Sequence, residues 1–183
     1  MAIVMKPGSE PIFLIGPMGS GKTTTGAVLA ERLGAELVDL DEAIVELAGM
    51  PVPAIFEAKG EAGFRDLEER ALGEVAQRTG PLVVATGGGV VLRAANRFRM
   101  AVSGNVVYLH ADVDTLLERT AGDPNRPLLQ VEDPRAKLEA LQAERDPLYR
   151  QADLTVETAG RAPAEIAEEI LAHLESADPD AVD

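Results

Sequence analysis

The sequence predicts an α/β fold of three layers, in which a five-stranded parallel sheet lies between helices. Short apolar runs alternate along the chain with segments whose apolar residues recur at helical spacing. The run 82–86 is almost continuously apolar, as expected of a strand buried on both faces. A glycine-rich turn at 16–23 joins a strand to a helix. Such alternation favours parallel strands with right-handed crossovers.

Each element can be placed in order along the chain. The strands are predicted at 12–15, 37–39, 82–86, 106–109 and 154–156. The helices are predicted at 24–33, around 44–47, and at 64–77, 93–100, 113–119, 134–149 and 163–174. Gly34 can end the first helix, and a turn is expected at 60–63. Ligands bind such sheets at the carboxyl ends of the strands, so we expect the chemistry there.

Length and charge limit the possible organisation and partners. We expect one domain over 1–175 and a disordered acidic tail over 176–183. The net charge of −14 disfavours nucleic acid and anionic membranes as partners. No apolar run suggests a membrane span or a signal peptide, so a cytoplasmic location is expected. No long heptad pattern or exposed apolar stretch suggests an obligate assembly, so a monomer is expected. The chain has no cysteine, which excludes disulfides and thiol catalysis.

The turn at 16–23 matches the phosphate-binding pattern G-x-x-x-x-G-K-[ST]. Its glycines let backbone N–H groups face phosphate oxygens, and the helix that follows adds its partially positive end. Lys22 supplies a full positive charge and Thr23 a hydroxyl for Mg²⁺. Because a strand precedes the turn and a helix follows it, a glycine turn that binds nothing is disfavoured. The contacts expected for ATP here are Gly19, Ser20, Gly21, Lys22, Thr23 and Thr24.

Two carboxylates, Asp39 and Asp41, stand at the end of the second predicted strand. Residues two apart in a strand share a face, so both could point at the phosphate site. One could then help hold Mg²⁺ while the other accepts a proton from a substrate hydroxyl. The open alternative is that one or both cap the following helix.

Three arginines and a glycine run are further candidates. Gly87-Gly88-Gly89 follows a buried strand, which suggests close approach of a ligand to the backbone, although a plain flexible turn is the alternative. Arg65 could instead form a surface ion pair, and Arg145 could be a favourable cation at a helix end. Arg126 lies in a predicted long loop, where it could face solvent or be carried by a mobile lid onto a phosphate.

Taken together, these motifs resemble the shikimate kinase family. The resemblance runs from about Ile12 to Leu174. It rests on the phosphate loop, Asp39-Leu40-Asp41, Arg65-x-x-Glu68-x-x-x-Leu72, Val83-Val84-Ala85-x-Gly87-Gly88-Gly89, Asn125-Arg126-Pro127-Leu128-Leu129 and Arg145-x-x-Leu148-Tyr149.

The resemblance implies a P-loop fold of the nucleoside-monophosphate-kinase type with strand order 2-3-1-4-5. It also implies transfer of the γ-phosphoryl group of ATP to the 3-hydroxyl of shikimate, a cyclic triol with one carboxylate. The substrate-binding region would lie at about 40–70 and the lid at about 120–133.

The resemblance also implies a role for each candidate residue. Arg65 and Arg145 would hold the substrate carboxylate, for which the planar guanidinium fork is suited. Asp41 would bind ring hydroxyls and act as the base, with the backbone of Gly87, Gly88 and Gly89 against the substrate. The groups expected to act on the nucleotide side are Lys22 and Arg126 on the β- and γ-phosphates, Thr23 and Asp39 on Mg²⁺, and Arg119, Arg161 and Pro163 around the adenine.

Two departures and two alternative functions remain. Pro17 and Ala162 replace residues that the family commonly has, which makes the adenine contacts near Ala162 less certain. A gluconate kinase of the same fold would also bind a carboxylated polyol. A noncatalytic nucleotide-binding module would be expected to lack Asp41, Lys22 or Arg126, but all three are present.

Overall fold

The computed structural model describes residues 10–123 and 127–177. Its sheet has five parallel strands in the order β2-β3-β1-β4-β5, which confirms the expected order. The strands are β1 (Ile12–Ile15), β2 (Glu36–Asp39), β3 (Leu82–Ala85), β4 (Asn105–His110) and β5 (Leu154–Glu157).

Helices connect the strands and cover both faces of the sheet. Their bounds are α1 (Lys22–Leu33), α2 (Leu40–Ala48), α3 (Val52–Val75), α4 (Ala94–Ser103), α5 (Val113–Thr120), α6 (Pro134–Tyr149) and α7 (Pro163–Ser176). Two single 3₁₀ turns, Val90–Leu92 and Pro127–Leu129, were not predicted. None of the helices in the described ranges is long and apolar enough to cross a bilayer.

The sheet separates two apolar clusters, and successive residues of β1 alternate between them. Phe13 and Ile15 pack into a cluster built with α2, α3 and α4. Ile12 and Leu14 pack on the opposite side against α1 and α7. This alternation is the period of two of an extended strand, and it explains why the run is apolar throughout.

Two element boundaries differ from the sequence prediction. The strand β2 ends at Asp39 and α2 begins at Leu40, so Asp41 lies in a helix rather than in a strand. The predicted turn at 60–63 is confined to Gly60, whose backbone (φ 67°, ψ −175°) breaks α3 while helix continues on both sides. In both cases helical structure extends further than the apolar periodicity indicates.

Candidate active site

A cleft of about 690 Å³ opens at the carboxyl ends of the strands. It brings together residues from the phosphate loop, the start of α2, the glycine run after β3, the end of α5 and the turn before α7. Its lining contains predicted site residues Gly19, Ser20, Gly21, Lys22, Thr23, Thr24, Asp39, Asp41, Gly87, Gly88, Arg119, Arg161 and Pro163, together with Met18, Thr25, Thr86, Leu128 and Ile166.

The phosphate loop has the backbone that its glycines permit. Gly19 (φ 81°) and Gly21 (φ 88°) are in left-handed conformations that residues with a Cβ rarely adopt. The Lys22 ammonium donates hydrogen bonds to the carbonyls of Gly16, at 2.7 Å, and Pro17, at 2.8 Å. Pro17 therefore contributes a carbonyl to the loop and is compatible with its shape.

The loop and the start of α1 fit a phosphate group. Gly21 precedes α1 without a side-chain cap, so no side chain covers the N–H groups of the first turn. The buried Ser20 hydroxyl oxygen has no hydrogen-bond partner among the described residues. Together they form a set of donors for which phosphate oxygens are the matching acceptors.

Arg119 joins the phosphate loop to the turn after β5. Its guanidinium donates to the carbonyl of Gly19 at 3.2 Å, and to the hydroxyl and carbonyl of Thr158 at 3.0 and 2.9 Å. Arg161 lies on the same side of the cleft and donates to the carbonyl of Glu157 and the carboxylate of Glu169. The residues predicted to surround adenine therefore share one end of the cleft.

The two predicted carboxylates occupy different positions. Asp39 caps α2, and its Oδ1 accepts from the backbone N–H of Asp41 at 2.9 Å and of Glu42 at 3.4 Å. The capping alternative is thus confirmed for Asp39. The argument that both share a strand face was wrong because β2 ends at Asp39, yet both residues line the cleft.

The Asp41 carboxylate has a perturbed pKa. Desolvation by the surrounding protein raises the pKa above the usual aspartate value, and the nearby Asp39 charge raises it further. Lys22 and Arg65 act in the opposite direction, but they do not cancel the increase. Asp41 is therefore a better proton acceptor than an ordinary aspartate.

The glycine run makes room for the side chains that the sequence assigned to the substrate. A Cβ on Gly87 would lie 3.3 Å from Asp41 Oδ1, and one on Gly88 would lie 3.5 Å from Arg145 Nη1. A Cβ on Gly89 would lie 2.5 Å from Arg65 Cζ. Asp41, Arg145 and Arg65 therefore converge on three consecutive glycines, and the plain-turn alternative does not explain that convergence.

Arg65 is held by a buried carboxylate that the sequence analysis did not assign to the site. Its Nη1 donates to Glu68 Oε1 at 2.7 Å, and only 14% of its side chain is exposed. Glu68 is fully buried, and its Oε2 has no partner in the described part of the chain. Arg65 and Glu68 are three residues apart, a spacing that predicts an ion pair on a helix. The same spacing is typical of exposed ion pairs, so the sequence of one helix turn does not indicate that this pair is buried.

Burial also sets the protonation of Glu68. Desolvation raises the pKa of its carboxyl group, while Arg65 beside it and the more distant Arg145 lower it. Asp41 adds a further increase. Arg65, Arg145 and Asp41, the three charged residues predicted to bind the substrate, thus all influence the pKa of Glu68.

Arg145 is buried rather than exposed at a helix end. Only 8% of the residue is accessible, and its Nε has no acceptor within the described ranges. Four residues later on α6, the Tyr149 hydroxyl donates to the carbonyl of Gly88. Both side chains therefore reach the glycine run from α6.

Some predicted features lie outside the described residues. Arg126 is among residues 124–126, so the predicted lid is described only on either side of that gap. The acidic tail is described only as far as residue 177, and α7 extends through Ser176. Within the described ranges, no group of three His, Cys, Asp or Glu side chains could hold a metal ion.

Comparisons with known proteins agree on one family. The family model for shikimate kinase matches residues 18–175. A shikimate kinase of Halorhodospira halophila is 50% identical over 165 residues, which cover 90% of this chain and 93% of that protein. The solved structure of shikimate kinase from Acinetobacter baumannii in complex with shikimate has a TM-score of 0.88 and 47% identity, and the match covers 93% and 95% of the two chains.

A gluconokinase from Sinorhizobium meliloti is more distant in sequence. Its structure has a TM-score of 0.65 and 23% identity, over 94% of this chain and 95% of that one. At this level of identity the likeness concerns the fold alone.

Proposed function

The chain belongs to the shikimate kinase family and is an ATP-dependent kinase that phosphorylates shikimate; we propose here how its residues divide that work. The observation that carries the proposal is the convergence of Arg65, Arg145 and Asp41 on the glycine run. Asp41, Gly87 and Gly88 line the cleft, and the two arginines border the glycines from outside that lining. The phosphate loop forms another part of the same cleft. A phosphoryl donor and an acidic polyol can therefore meet there.

The substrate carboxylate lies between the guanidinium groups of Arg65 and Arg145. Both side chains are largely withdrawn from water and border adjacent glycines, so an anion between them would be only weakly screened. The chain as a whole carries a net charge of −14. Because Glu68 already pairs with Arg65, the two arginines supply one positive charge beyond that ion pair, which suits a small monoanion.

Asp41 accepts the proton of the attacking hydroxyl. Its carboxylate lies beside Gly87 and lines the cleft, and its raised pKa improves its ability to take up a proton. The hydroxyl oxygen then forms a bond to the γ-phosphorus, and the bond from that phosphorus to the β–γ bridging oxygen breaks, leaving ADP. Such transfer depends mainly on positioning and on stabilisation of the developing charge.

The nucleotide phosphates are held by the loop and by the start of α1. Backbone N–H groups of Gly19, Ser20 and Gly21 face the phosphates, Lys22 neutralises their charge, and Thr24 follows at the helix start. Arg119, Arg161 and Pro163 enclose the adenine, and Arg126 reaches the γ-phosphate from the lid. The support for Arg119 is its tie to both the loop and the turn after β5.

Thr23 and Asp39 are the residues that would hold Mg²⁺. Bound Mg²⁺ neutralises phosphate charge and usually takes one or two protein oxygens, with phosphates and water completing its shell. The cleft offers the Thr23 hydroxyl and the Asp39 carboxylate, and such a sparse donor set fits that preference. Asp39 Oδ1 caps α2, and its Oδ2 would be available to help hold the ion through water.

We also propose that the protein works as a cytoplasmic monomer over a single domain (1–175), with no nucleic-acid or membrane partner. The support is the strongly negative net charge, which disfavours both kinds of polyanionic surface.

The proposal is tested by measuring ADP release from ATP and Mg²⁺ in the presence of shikimate or gluconate. We expect turnover with shikimate and none above background with gluconate. Arg145→Lys should raise the KM for shikimate at least tenfold, because lysine cannot bind a carboxylate bidentately. Arg150→Lys, at the residue that caps the end of that helix, changes an exposed arginine that pairs with Asp146, and it is the matched control. Faster turnover of gluconate, or equal KM values for the two variants, would contradict the proposal.

A further inference from the structure

Two buried tyrosines stack behind the glycine run, and they are the only tyrosines of the chain. The ring centroids of Tyr108 and Tyr149 are 4.9 Å apart, and the rings are inclined by 29°. The two residues are 0% and 1% exposed. Phenylalanine would fill the same space, so the hydroxyls add hydrogen bonds rather than packing.

The two hydroxyls have different partners. Tyr108 bonds within the scaffold, donating to Asp146 Oδ1 at 2.8 Å and accepting from Gln142 at 3.1 Å. Tyr149 instead donates to the carbonyl of Gly88 at 2.5 Å. The Tyr149 hydroxyl is therefore the one bonded to the turn against which the substrate is proposed to lie.

The bond to Gly88 fixes the orientation of a peptide that has no side chain to fix it. Gly88 and Gly89 carry no Cβ, so packing of their own side chains cannot select one backbone orientation. In a trans peptide the carbonyl of Gly88 and the N–H of Gly89 point in opposite directions. Holding the carbonyl toward Tyr149 therefore directs the Gly89 N–H away from α6.

The same hydroxyl lies beside Arg145. A Cβ on Gly88 would be 3.6 Å from the Tyr149 hydroxyl and 3.5 Å from Arg145 Nη1. The two residues are four apart on α6 and share one face of it. Burial raises the pKa of Tyr149 to about 12, even though Arg145 acts to lower it, so the hydroxyl keeps its proton at neutral pH.

We propose that Tyr149 is a positioning residue for the acidic substrate: its hydroxyl fixes the Gly88 peptide relative to Arg145. The inference rests on the proposed function, because it requires the carboxylate to lie between Arg145 and Arg65. Tyr149 itself does not touch the reacting atoms. Its loss should therefore weaken binding of shikimate while ATP binding at the phosphate loop stays unchanged.

The test compares Tyr149→Phe with Tyr108→Phe, since each removes one buried hydroxyl from the same stack. For Tyr149→Phe we expect the KM for shikimate to rise about tenfold, the loss typical of one buried hydrogen bond, and the KM for ATP to stay within twofold. For Tyr108→Phe both KM values should stay within twofold. The melting temperature of each variant is measured alongside, and both are expected to fall.

The results separate the inference from the function on which it rests. Absence of shikimate turnover in the unmodified protein would overturn the proposed function itself. Normal turnover there, with Tyr149→Phe keeping its KM for shikimate within twofold, would overturn only the positioning role. An equal rise in KM for both tyrosine variants would also overturn it, because general loosening of the stack would then suffice.

Discussion

Gly89 and Arg65 are in direct contact, and the contact leaves no space for a side chain on the glycine. A Cβ at Gly89 would lie 2.5 Å from the Cζ atom and 2.6 Å from the Nη1 atom of Arg65. The guanidinium cannot retreat freely, because Glu68 holds its Nη1 in a buried ion pair. The backbone conformation of Gly89 (φ −93°, ψ 3°) is one that other residues can adopt. The requirement for glycine at this position therefore comes from the close approach of Arg65.

Gly89→Ala is expected to impair substrate binding and also to lower stability. The local backbone conformation suits alanine, but the methyl group displaces the Arg65 guanidinium and disturbs its buried ion pair with Glu68. We expect the KM for shikimate to rise at least tenfold and the melting temperature to fall, with the KM for ATP close to that of the unmodified protein. Steady-state kinetics and thermal unfolding provide the measurements, and an unchanged KM for shikimate would show that Arg65 does not need its present position.

Lys22→Ala is expected to lower kcat by a hundredfold or more. Removing one charged contact from a phosphoryl-transfer site costs on the order of 3 kcal/mol of transition-state stabilisation. Lys59→Ala is the control, because Lys59 is exposed and is not part of the cleft lining. If Lys22→Ala has the same kcat as Lys59→Ala, Lys22 does not contribute to catalysis.

Asp41→Asn is expected to abolish most turnover while ATP still binds. The amide keeps the shape of the carboxylate but cannot accept the hydroxyl proton. Single-turnover rates measure the chemical step, and calorimetric titration with ATP and Mg²⁺ measures binding. Glu42→Gln, at the next residue of α2, is the matched control. If ATP binding is lost with Asp41→Asn, the residue belongs to the metal site.

Glu68→Gln is expected to change how stability depends on pH. The pKa of the Glu68 carboxyl is raised in the folded protein, so the native state binds this proton more tightly than the unfolded chain does. Its contribution to stability is therefore present at acidic pH and is lost as pH rises through the raised pKa. The glutamine side chain does not titrate, so the variant lacks this pH dependence.

The measurement is denaturant unfolding of both proteins from mildly acidic to neutral pH. The unmodified protein should lose stability relative to Glu68→Gln as pH rises above the ordinary glutamate pKa. The KM for shikimate of the variant should increase because Arg65 loses its charged partner. A stability difference that is constant with pH would show that Glu68 does not change its protonation on folding.

The sheet and the phosphate loop were predictable from sequence because local patterns determine them. Continuous apolar runs mark β1, β3 and β4, and the glycines of the loop are required by its backbone. The position of Asp41 was not predictable in the same way. The alternation of apolar and acidic residues predicts that the strand continues through Asp41. In the structure Asp39 instead caps α2, so the helix begins at Leu40 and Asp41 is helical.

The arrangement of the side chains around the glycine run could not be derived from local sequence patterns, because tertiary contacts determine it. Arg65 and Arg145 are 80 residues apart in the chain, and only the fold places them at adjacent glycines. Burial of Glu68 could not be inferred from its own helix turn, which carries several charged neighbours. Tyr149 belongs to one of the motifs that carry the family resemblance, but its hydrogen bond to the carbonyl of Gly88 could not be inferred from the sequence.

Arg119 ties the phosphate loop to Thr158 and hence links two chain segments that follow different strands of the sheet, β1 and β5. Opening of the loop breaks the bond from Arg119 to Gly19, and opening of the turn after β5 breaks the two bonds from Arg119 to Thr158, so the two segments share one partner. Amide hydrogen exchange in the loop and in that turn is therefore expected to slow together when nucleotide binds. We therefore expect these two segments to respond to nucleotide as one cooperative unit, although they lie about 140 residues apart in the chain.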